Sequence, residues 1–311
     1  MATVAEILGT KYPLIQGSMA RISRHELVIA VSNAGGLGVL TSAGFDKEEL
    51  RAEIRRVKAG TDKPFAVNLM LMMDNIPDLV DVIIEEQVPV VTTGAGTPKP
   101  YMPAFKAAGV KVIPVIPSVK VAKKMADLGA VAVVAEGMES GGHIGGTTTM
   151  ALVPQVANAI DIPVIAAGGI GDGRGVVAAY ALGAQGIQVG TIFLAADETP
   201  VADAFKQAIL AADDTATAVT GQRIGAPVRT IKSAMIAKYL ELENAGASFA
   251  ELESLTMASL SKAVFDGDVE NGSVMAGEIA GMVNSKRPVK DIIEGLFNEA
   301  EAVVKNLKIT Y

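Results

Sequence analysis

Short apolar runs alternate with amphipathic stretches along the first two thirds of the chain, at intervals of about 25 residues. Most of these runs border glycine or proline, a pattern typical of strands that are buried on both faces. The amphipathic stretches between them have the spacing of surface helices. The strands predicted in this way lie at residues 14–16, 38–40, 65–69, 88–92, 110–116, 130–135, 164–167 and 187–189.

This regular alternation predicts an α/β fold with a parallel sheet and right-handed crossovers. Eight units favour a closed (β/α)8 barrel, the TIM barrel, and an open doubly wound sheet is the alternative. The pattern changes after Thr191, where helices are expected at 202–212, 231–245 and 249–264. We therefore predict a barrel over residues 1–199, a mostly helical cap over 200–285, and a C-terminal helix within 286–311 that returns to the barrel wall.

Glycine turns after the last two predicted strands indicate an anion site. Gly168 and Gly169 follow the seventh strand, and Gly190 and Thr191 follow the eighth. Backbone N–H groups in such turns can face an anion. The helix predicted to start at Gly173 is expected to direct its amino terminus at the same point. In a (β/α)8 barrel, this position is that of the phosphate site.

Composition and charge exclude several other classes of site. The 311-residue chain contains no cysteine, which excludes disulfides, thiolate metal sites and a cysteine nucleophile. Its net charge of −7 argues against nucleic-acid binding, and Lys120, Lys123 and Lys124 are interpreted as a solvated helix face. No apolar run approaches the roughly 20 residues that span a bilayer, and no signal peptide is recognised. We expect a cytoplasmic protein with no membrane or nucleic-acid partner and no metal ligands.

The ends of the predicted strands offer amides, glycines, one carboxylate and one imidazole. In a barrel of this type the active site lies at these carboxyl ends. Amide side chains can pair with the carbonyl and N–H groups of a ring, and glycines let the backbone approach it closely. A flat polar heterocycle with a phosphate fits this set, and FMN fits better than a bare sugar phosphate.

His143 is the strongest candidate for acid–base chemistry. It lies in a glycine-rich loop, where an imidazole can donate a proton or polarise a carbonyl near neutral pH. The alternative is a loop histidine that only bonds the backbone. His25, at a predicted helix start, is interpreted as structural. The run from Gly169 to Gly173 lacks the spacing of a dinucleotide fingerprint.

Several motifs together resemble a known family. The chain resembles the FMN-dependent enoyl-acyl-carrier-protein reductases of the FabK type, within the nitronate monooxygenase (2-nitropropane dioxygenase) superfamily. The resemblance covers nearly the whole chain. The motifs that carry it are Gln16-Gly-x-Met19, Gly35-Gly-Leu-Gly38, Asn68, Ala135 to His143, Ile165 to Gly169, Gln188 to Thr191, Gly267-Asp268 and Gly272 to Gly277.

The resemblance implies that FMN is bound in the barrel and reduced by NADH or NADPH. Hydride would then pass from flavin N5 to the β-carbon of a trans-2-enoyl thioester on acyl carrier protein, a final step of fatty-acid elongation. His143 would polarise the thioester carbonyl or protonate the α-carbon. The residues assigned to the cofactor are Gly17, Ser18, Met19, Asn68, Glu136, Gly141, Gly142, Ala167, Gly168, Gly169, Gln188, Val189, Gly190, Thr191 and Met275.

Two further expectations come from analogy. Barrel flavoproteins of this sort are often dimers, so a homodimer is expected. Some members of the reductase branch depend on a monovalent cation, and no residue of this sequence identifies a site for one.

Four residues depart from those common in the reductases: Ser18, Ile192, Ser233 and Glu278 stand where glycine, arginine, asparagine and glutamine are usual.

Two other functions remain open. The first is an oxygen-using nitronate monooxygenase, in which His143 would abstract the α-proton of a nitroalkane and no NADH or NADPH would be needed. The second is a flavin-free isomerase or lyase that binds a phosphate ester. In that enzyme only Glu136 and His143 could form the acid–base pair.

Overall fold

Eight parallel strands form a nearly closed barrel in the computed structural model, which describes residues 2–308. Eleven strands lie in this part of the chain, and all except β7, β10 and β11 belong to the barrel. In chain order they are β1 (Leu14–Gln16), β2 (Gly38–Thr41), β3 (Phe65–Met70), β4 (Val90–Gly94), β5 (Lys111–Ile116), β6 (Val133–Glu136), β7 (Gly142–His143), β8 (Val164–Ala167), β9 (Gly186–Val189), β10 (Thr217–Thr220) and β11 (Val228–Ile231).

The barrel is nearly closed, by one bridge, where β1 meets the start of β2. The spatial order is β1-β9-β8-β6-β5-β4-β3-β2, and Leu37, immediately before β2, bridges to Ile15. The Leu37 N–H donates to the Leu14 carbonyl at 2.8 Å, and the Leu37 carbonyl accepts from the Gln16 N–H at 3.0 Å. The predicted TIM barrel is therefore confirmed, and the open sheet is wrong.

Helices cover the outside of the barrel and form most of the cap. Shorter helical turns follow β9 (Thr191–Phe193) and occur in the cap (Lys262–Asp266 and Glu278–Met282). The helices are α1 (Val4–Leu8), α2 (His25–Asn33), α3 (Lys47–Gly60), α4 (Ile76–Glu85), α5 (Met102–Ala107), α6 (Val119–Asp127), α7 (Thr149–Ala157), α8 (Gly173–Ala181), α9 (Asp203–Leu210), α10 (Ala234–Asn244), α11 (Phe249–Thr256), α12 (Ser259–Ser261) and α13 (Val289–Asn306).

Helix α1 closes the end of the barrel opposite the strand carboxyl ends, and the sequence analysis did not predict it. Val4 and Leu8 join the cluster of buried side chains that fills the barrel interior, and Val4 packs against Gly186 at the start of β9. A capping box between Thr3 and Glu6 begins the helix. The Thr3-x-x-Glu6 pattern in the sequence could have predicted the start of α1.

The cap differs from its prediction in two helices. The helix expected over 249–264 breaks at Ala258, whose φ of +58° is left-handed, and continues as α12 and a π-helical turn. The helix expected from Ile231 begins at Ala234, because Ile231 belongs to β11. Strands β10, β11 and β7 form a separate antiparallel sheet.

The cap and the barrel share buried apolar residues. Phe205, Val264 and Ile279 of the cap lie in the same hydrophobic cluster as Ile187 and Val189 of β9. The boundaries predicted at 199/200 and 285/286 stay a prediction.

Helix α13 packs on α2 and α8, with Phe297 stacked on Tyr12 at 4.5 Å between ring centroids. Positions 309–311 of the predicted C-terminal segment lie outside the described residues. Within residues 2–308, no helix has both the length and the apolar character that crossing a bilayer requires.

Candidate active site

The barrel brings the predicted polar residues together at the carboxyl ends of its strands. Ala167 at the end of β8 pairs with Glu136 of β6 on one side and with Gln188 of β9 on the other. Asn68 of β3 pairs with Thr92 of β4. Because parallel strands end at the same edge, these side chains surround one barrel mouth.

Four backbone N–H groups at this mouth have no acceptor among the described residues. Those of Gly168, Gly169, Gly190 and Thr191 donate no backbone hydrogen bond within the described chain. Gly168 and Gly169 have φ values of +95° and +73°, which glycine adopts without strain. We call these four residues the glycine cradle. Free N–H groups on two adjacent turns are what a phosphate requires.

The expected contribution of helix α8 to the anion site is wrong. The Asp172 carboxylate accepts from the N–H groups of Arg174 at 2.9 Å and Gly175 at 3.2 Å. Glu299 of α13 accepts from the Gly173 N–H at 3.1 Å. The first N–H groups of α8 therefore already bind carboxylates, so the glycine cradle must act without them. An aspartate before a helix is a common N-cap, and that was the available signal.

Glu139 is a neighbour of the cradle that the sequence analysis missed. Its carboxylate accepts from the N–H and the hydroxyl of Thr149, each at 2.9 Å, at the amino terminus of α7. A methyl group added at Gly169 would lie 3.5 Å from the Glu139 Cβ. The α7 amino terminus stabilises the negative charge of Glu139. Its carboxylate is thus bound to Thr149 rather than to the cradle N–H groups.

The turn after β1 lies directly against the end of β9. The Gly17 N–H donates to the Val189 carbonyl at 2.9 Å, and the Gln188 side chain lies 3.4 Å from the position of an added Cβ at Gly17. The Met19 sulfur is 3.7 Å from the corresponding position at Gly190. Ser18, between them, is partly exposed. This turn therefore borders the glycine cradle on the β1 side.

Asn68 and Glu136 lie at two other strand ends of the mouth. The Asn68 side chain donates to the Thr92 hydroxyl at 3.0 Å. Glu136 has no cationic partner among the described residues and keeps some accessible surface, although protein surrounds it. Burial raises the pKa of Glu136 to about 7. This carboxyl group therefore takes up and releases a proton near neutral pH.

His143 lies in a short strand, not in an irregular loop as predicted. It pairs with Val228 of β11, and Gly142, with φ +74°, pairs with Arg229. The His143 side chain is exposed and makes no hydrogen bond to a described residue, so the backbone-bonding alternative is not observed. His25 instead lies 3.1 Å from the Glu53 carboxylate at the start of α2, which supports its structural interpretation.

Arg229 ties the His143 loop to the cap. Its buried guanidinium donates to the Met138 carbonyl at 3.0 and 3.2 Å and to the Thr217 hydroxyl at 3.1 Å. It also pairs with the Glu278 carboxylate at 2.8 Å. Glutamate at 278, where the reductases usually carry glutamine, therefore adds an ion pair to this contact. This role of Arg229 was not predicted from the sequence.

A cap segment also reaches the mouth directly. The Gly277 N–H donates to the Thr191 hydroxyl at 2.9 Å, next to the glycine cradle. A methyl group at Gly141 would collide with the Ala276 backbone, and the Met275 sulfur lies 3.7 Å from an added Cβ at Gly142. The structure thus places the predicted residues Gly141, Gly142 and Met275 beside the cradle and the His143 strand.

Comparison with known proteins agrees with this architecture and with the resemblance inferred from the motifs. The family model described as nitronate monooxygenase matches residues 2–299. The solved structure of FabK from Thermotoga maritima is 44% identical, with a TM-score of 0.95 and 98% of each chain covered.

Two curated relatives are similar over nearly their whole length. A Rhodococcus jostii protein named (3aS,4S,5R,7aS)-5-hydroxy-7a-methyl-1-oxo-octahydro-1H-indene-4-carboxyl-CoA dehydrogenase is 33% identical over 96% of this chain and 95% of its own. A Staphylococcus saprophyticus protein named "Probable nitronate monooxygenase" is 33% identical over 90% of this chain and 92% of its own.

The glycine cradle predicts a preference for a phosphorylated ligand. In Gly169→Ala the left-handed backbone is strained, so we expect its N–H to move and FMN to bind about tenfold more weakly, equivalent to about 1.4 kcal/mol. The affinity for riboflavin, which lacks the phosphate, should fall less than about twofold in the same variant. Fluorescence titration of both flavins measures this difference.

Gly109→Ala is the matched control, because Gly109 has a similar φ of +72°, an added Cβ there meets no atom within 4 Å, and it precedes β5 at the far end of the barrel. Equal losses for FMN and riboflavin in Gly169→Ala would contradict the cradle.

The environment of Glu136 predicts a pH-dependent stability. Between its ordinary pKa of 4.5 and about 7, the folded protein binds a proton that the unfolded chain has released, so stability falls as pH rises through this range. Glu136→Gln removes that loss because glutamine does not titrate. Between pH 4.5 and 7.5, the free energy of unfolding of the variant should therefore rise relative to that of wild type by on the order of 1–3 kcal/mol. Urea unfolding of the flavin-free proteins measures the gain; an identical difference at both pH values would refute it.

Proposed function

This chain belongs to the nitronate monooxygenase family, and we propose that it is a flavin-dependent reductase of enoyl thioesters carried on acyl carrier protein. The observation that carries the proposal is the likeness to FabK over the whole chain, cap included, at a higher identity than that of the nitronate monooxygenase relatives. The Rhodococcus relative is also named for a coenzyme A thioester. That name, together with the resemblance to the FabK-type reductases, favours a thioester as the substrate class.

The residues at the barrel mouth fit FMN. The free N–H groups of Gly168, Gly169, Gly190 and Thr191 would hold its phosphate. Gly17, Ser18, Met19 and Asn68 would border its ring, and the Gln188 amide can hydrogen-bond polar ring atoms. When bound, FMN supplies hydride chemistry between NADH or NADPH and the substrate.

His143 would supply the proton of the reaction. Reduction of a conjugated double bond adds hydride at the β-carbon and a proton at the α-carbon. The exposed imidazole has no hydrogen-bond partner among the described residues, so it is free to donate that proton or to polarise the thioester carbonyl. The β7–β11 pairing and the Arg229 contacts keep the His143 loop in place, which would favour a fixed orientation of substrate and imidazole.

Glu136 would act as a neutral or charged group near the ring, depending on pH. Because its pKa is raised to about 7, a large fraction is protonated at neutral pH and can donate a hydrogen bond. Five further expectations stay predictions: the carrier protein, the choice of NADH or NADPH, a homodimer, a monovalent cation and a cytoplasmic location.

Nitronate monooxygenase activity is the second candidate, since the family model and the Staphylococcus relative carry that name. There His143 would remove the α-proton of a nitroalkane. The flavin-free isomerase or lyase is the third candidate, and it requires a colourless protein.

Anaerobic spectroscopy separates these candidates. The reductase should show flavin absorbance that NADH or NADPH bleaches and crotonyl thioester restores, whereas a nitronate should not restore it. Stopped-flow absorbance near the flavin maximum follows both half-reactions. Absence of bleaching by either nicotinamide would contradict the reductase, and absence of flavin absorbance would contradict both flavin candidates.

The role of His143 predicts a separation of the two half-reactions. His143→Ala should keep bound flavin and its reduction by nicotinamide, and slow reoxidation by the enoyl thioester by about 10²–10⁴-fold, the usual contribution of a general acid. His25→Gln changes the other histidine, which contacts Glu53 at the start of α2 on the outside of the barrel, and should reoxidise like wild type. Unchanged reoxidation in His143→Ala would remove this residue from the mechanism.

A further inference from the structure

Positive charge is segregated along this acidic chain. Residues 87–126 contain six lysines and no aspartate or glutamate. Because the whole chain has 27 basic and 34 acidic residues, the remainder has 21 basic and 34 acidic residues. The net charge of −7 therefore combines a segment of +6 with a remainder of −13.

Four of these lysines lie on two neighbouring βα units, and we call them the lysine face: Lys99, Lys120, Lys123 and Lys124. Lys99 lies in the loop after β4, and the other three lie on α6 at the i, i+3 and i+4 spacing of one exposed helix face. The other two lysines of the segment lie elsewhere: Lys111, at the start of β5, donates to the Ile7 carbonyl at 2.6 Å, and Lys106 is in the last turn of α5.

The charge of the lysine face is not neutralised by ion pairs within the described residues, although α6 itself ends at Asp127. None of its four lysines forms an ion pair with a carboxylate of residues 2–308. Helix α3 is the contrasting case, since Arg51, Arg55 and Lys58 all pair with Glu86, the residue that follows α4. The cations of α3 are thus paired within the fold, whereas those of the lysine face are available to a partner.

The lysine face lies beside the candidate active site. Both β4 and β5 end at the barrel mouth, and α6 begins immediately after β5. An added Cβ at Gly145, two residues after His143, would lie 3.0 Å from the Pro117 side chain, next to the Ser118 N-cap of α6. The start of α6 therefore abuts the loop that carries His143.

We propose that the lysine face is the docking surface for an acyl carrier protein, a proposal that rests on the proposed function. The partner is a protein with a carboxylate-rich helix, which would lie against α6 while its thioester arm enters the mouth beside His143. Three lysines on one helix face and a fourth on a separate loop match an extended acidic surface better than one phosphate group. Such contacts would increase both the rate of association with the carrier protein and the specificity for it.

Charge reversal tests the proposal without requiring turnover. In the flavin-loaded Lys120→Glu/Lys123→Glu variant, affinity for purified acyl carrier protein, measured by surface plasmon resonance at low ionic strength, should fall at least about tenfold. Wild-type affinity should also fall with added salt, because exposed charges are screened. Lys106→Glu reverses an exposed lysine of the same segment at the other end of the barrel and should bind like wild type.

A second measurement separates a protein partner from a coenzyme. The double variant should reduce crotonyl coenzyme A with kcat/KM within about twofold of wild type, and thermal unfolding should show an intact fold. If the double variant does not fold, Lys120→Gln/Lys123→Gln takes its place with a smaller expected loss.

Three results would overturn the proposal: no binding of the carrier protein to wild type, equal binding to the double variant, or a parallel loss with crotonyl coenzyme A. Lysine-dependent carrier binding without any enoyl reduction by wild type would support the docking surface while refuting the proposed function.

Discussion

The unpaired N–H groups of the glycine cradle are the constraint on which this account depends. Two hydrogen-bonded neighbours, β8 and β9, end at the same edge, so the barrel itself fixes the spacing of their turns. The neighbouring helix α8 provides no free N–H group for an anion, because the Asp172 and Glu299 carboxylates accept from its first N–H groups. A phosphate at this point would have to be bound largely by backbone, which explains glycine where φ is positive.

The cap completes the mouth rather than standing apart from it. Its apolar residues join the barrel cluster, and Arg229 and Gly277 bond residues next to the proposed substrate and cofactor. The buried Arg229 guanidinium has a carboxylate and neutral oxygens as partners, so its charge is well compensated. Glu278 thereby gains a physical reason for departing from the glutamine common in the reductases.

The sequence was sufficient for the barrel because buried strands leave an unambiguous apolar pattern. The cradle was found for a related reason, since glycine pairs after strands mark turns with free backbone. Helix α1 was missed although its capping box is visible at Thr3 and Glu6, because five residues are too few to show periodicity. The break at Ala258 had no such signal, since alanine rarely adopts a left-handed conformation.

Contacts made across the fold could not be predicted in this way. The Glu139 contact with Thr149 and the Arg229 contact with Met138 join residues through tertiary packing, and single-residue patterns do not encode such pairs. The pairing of His143 with β11 is a similar case. Its neighbours Gly141 and Gly142 predicted only a flexible loop.

A crystal structure of the protein saturated with FMN tests the central claim most directly. The account predicts phosphate oxygens at about 2.7–3.2 Å from the backbone nitrogens of Gly168, Gly169, Gly190 and Thr191. Density that places the phosphate on other groups, or a protein that crystallises without flavin at saturating FMN, would contradict it.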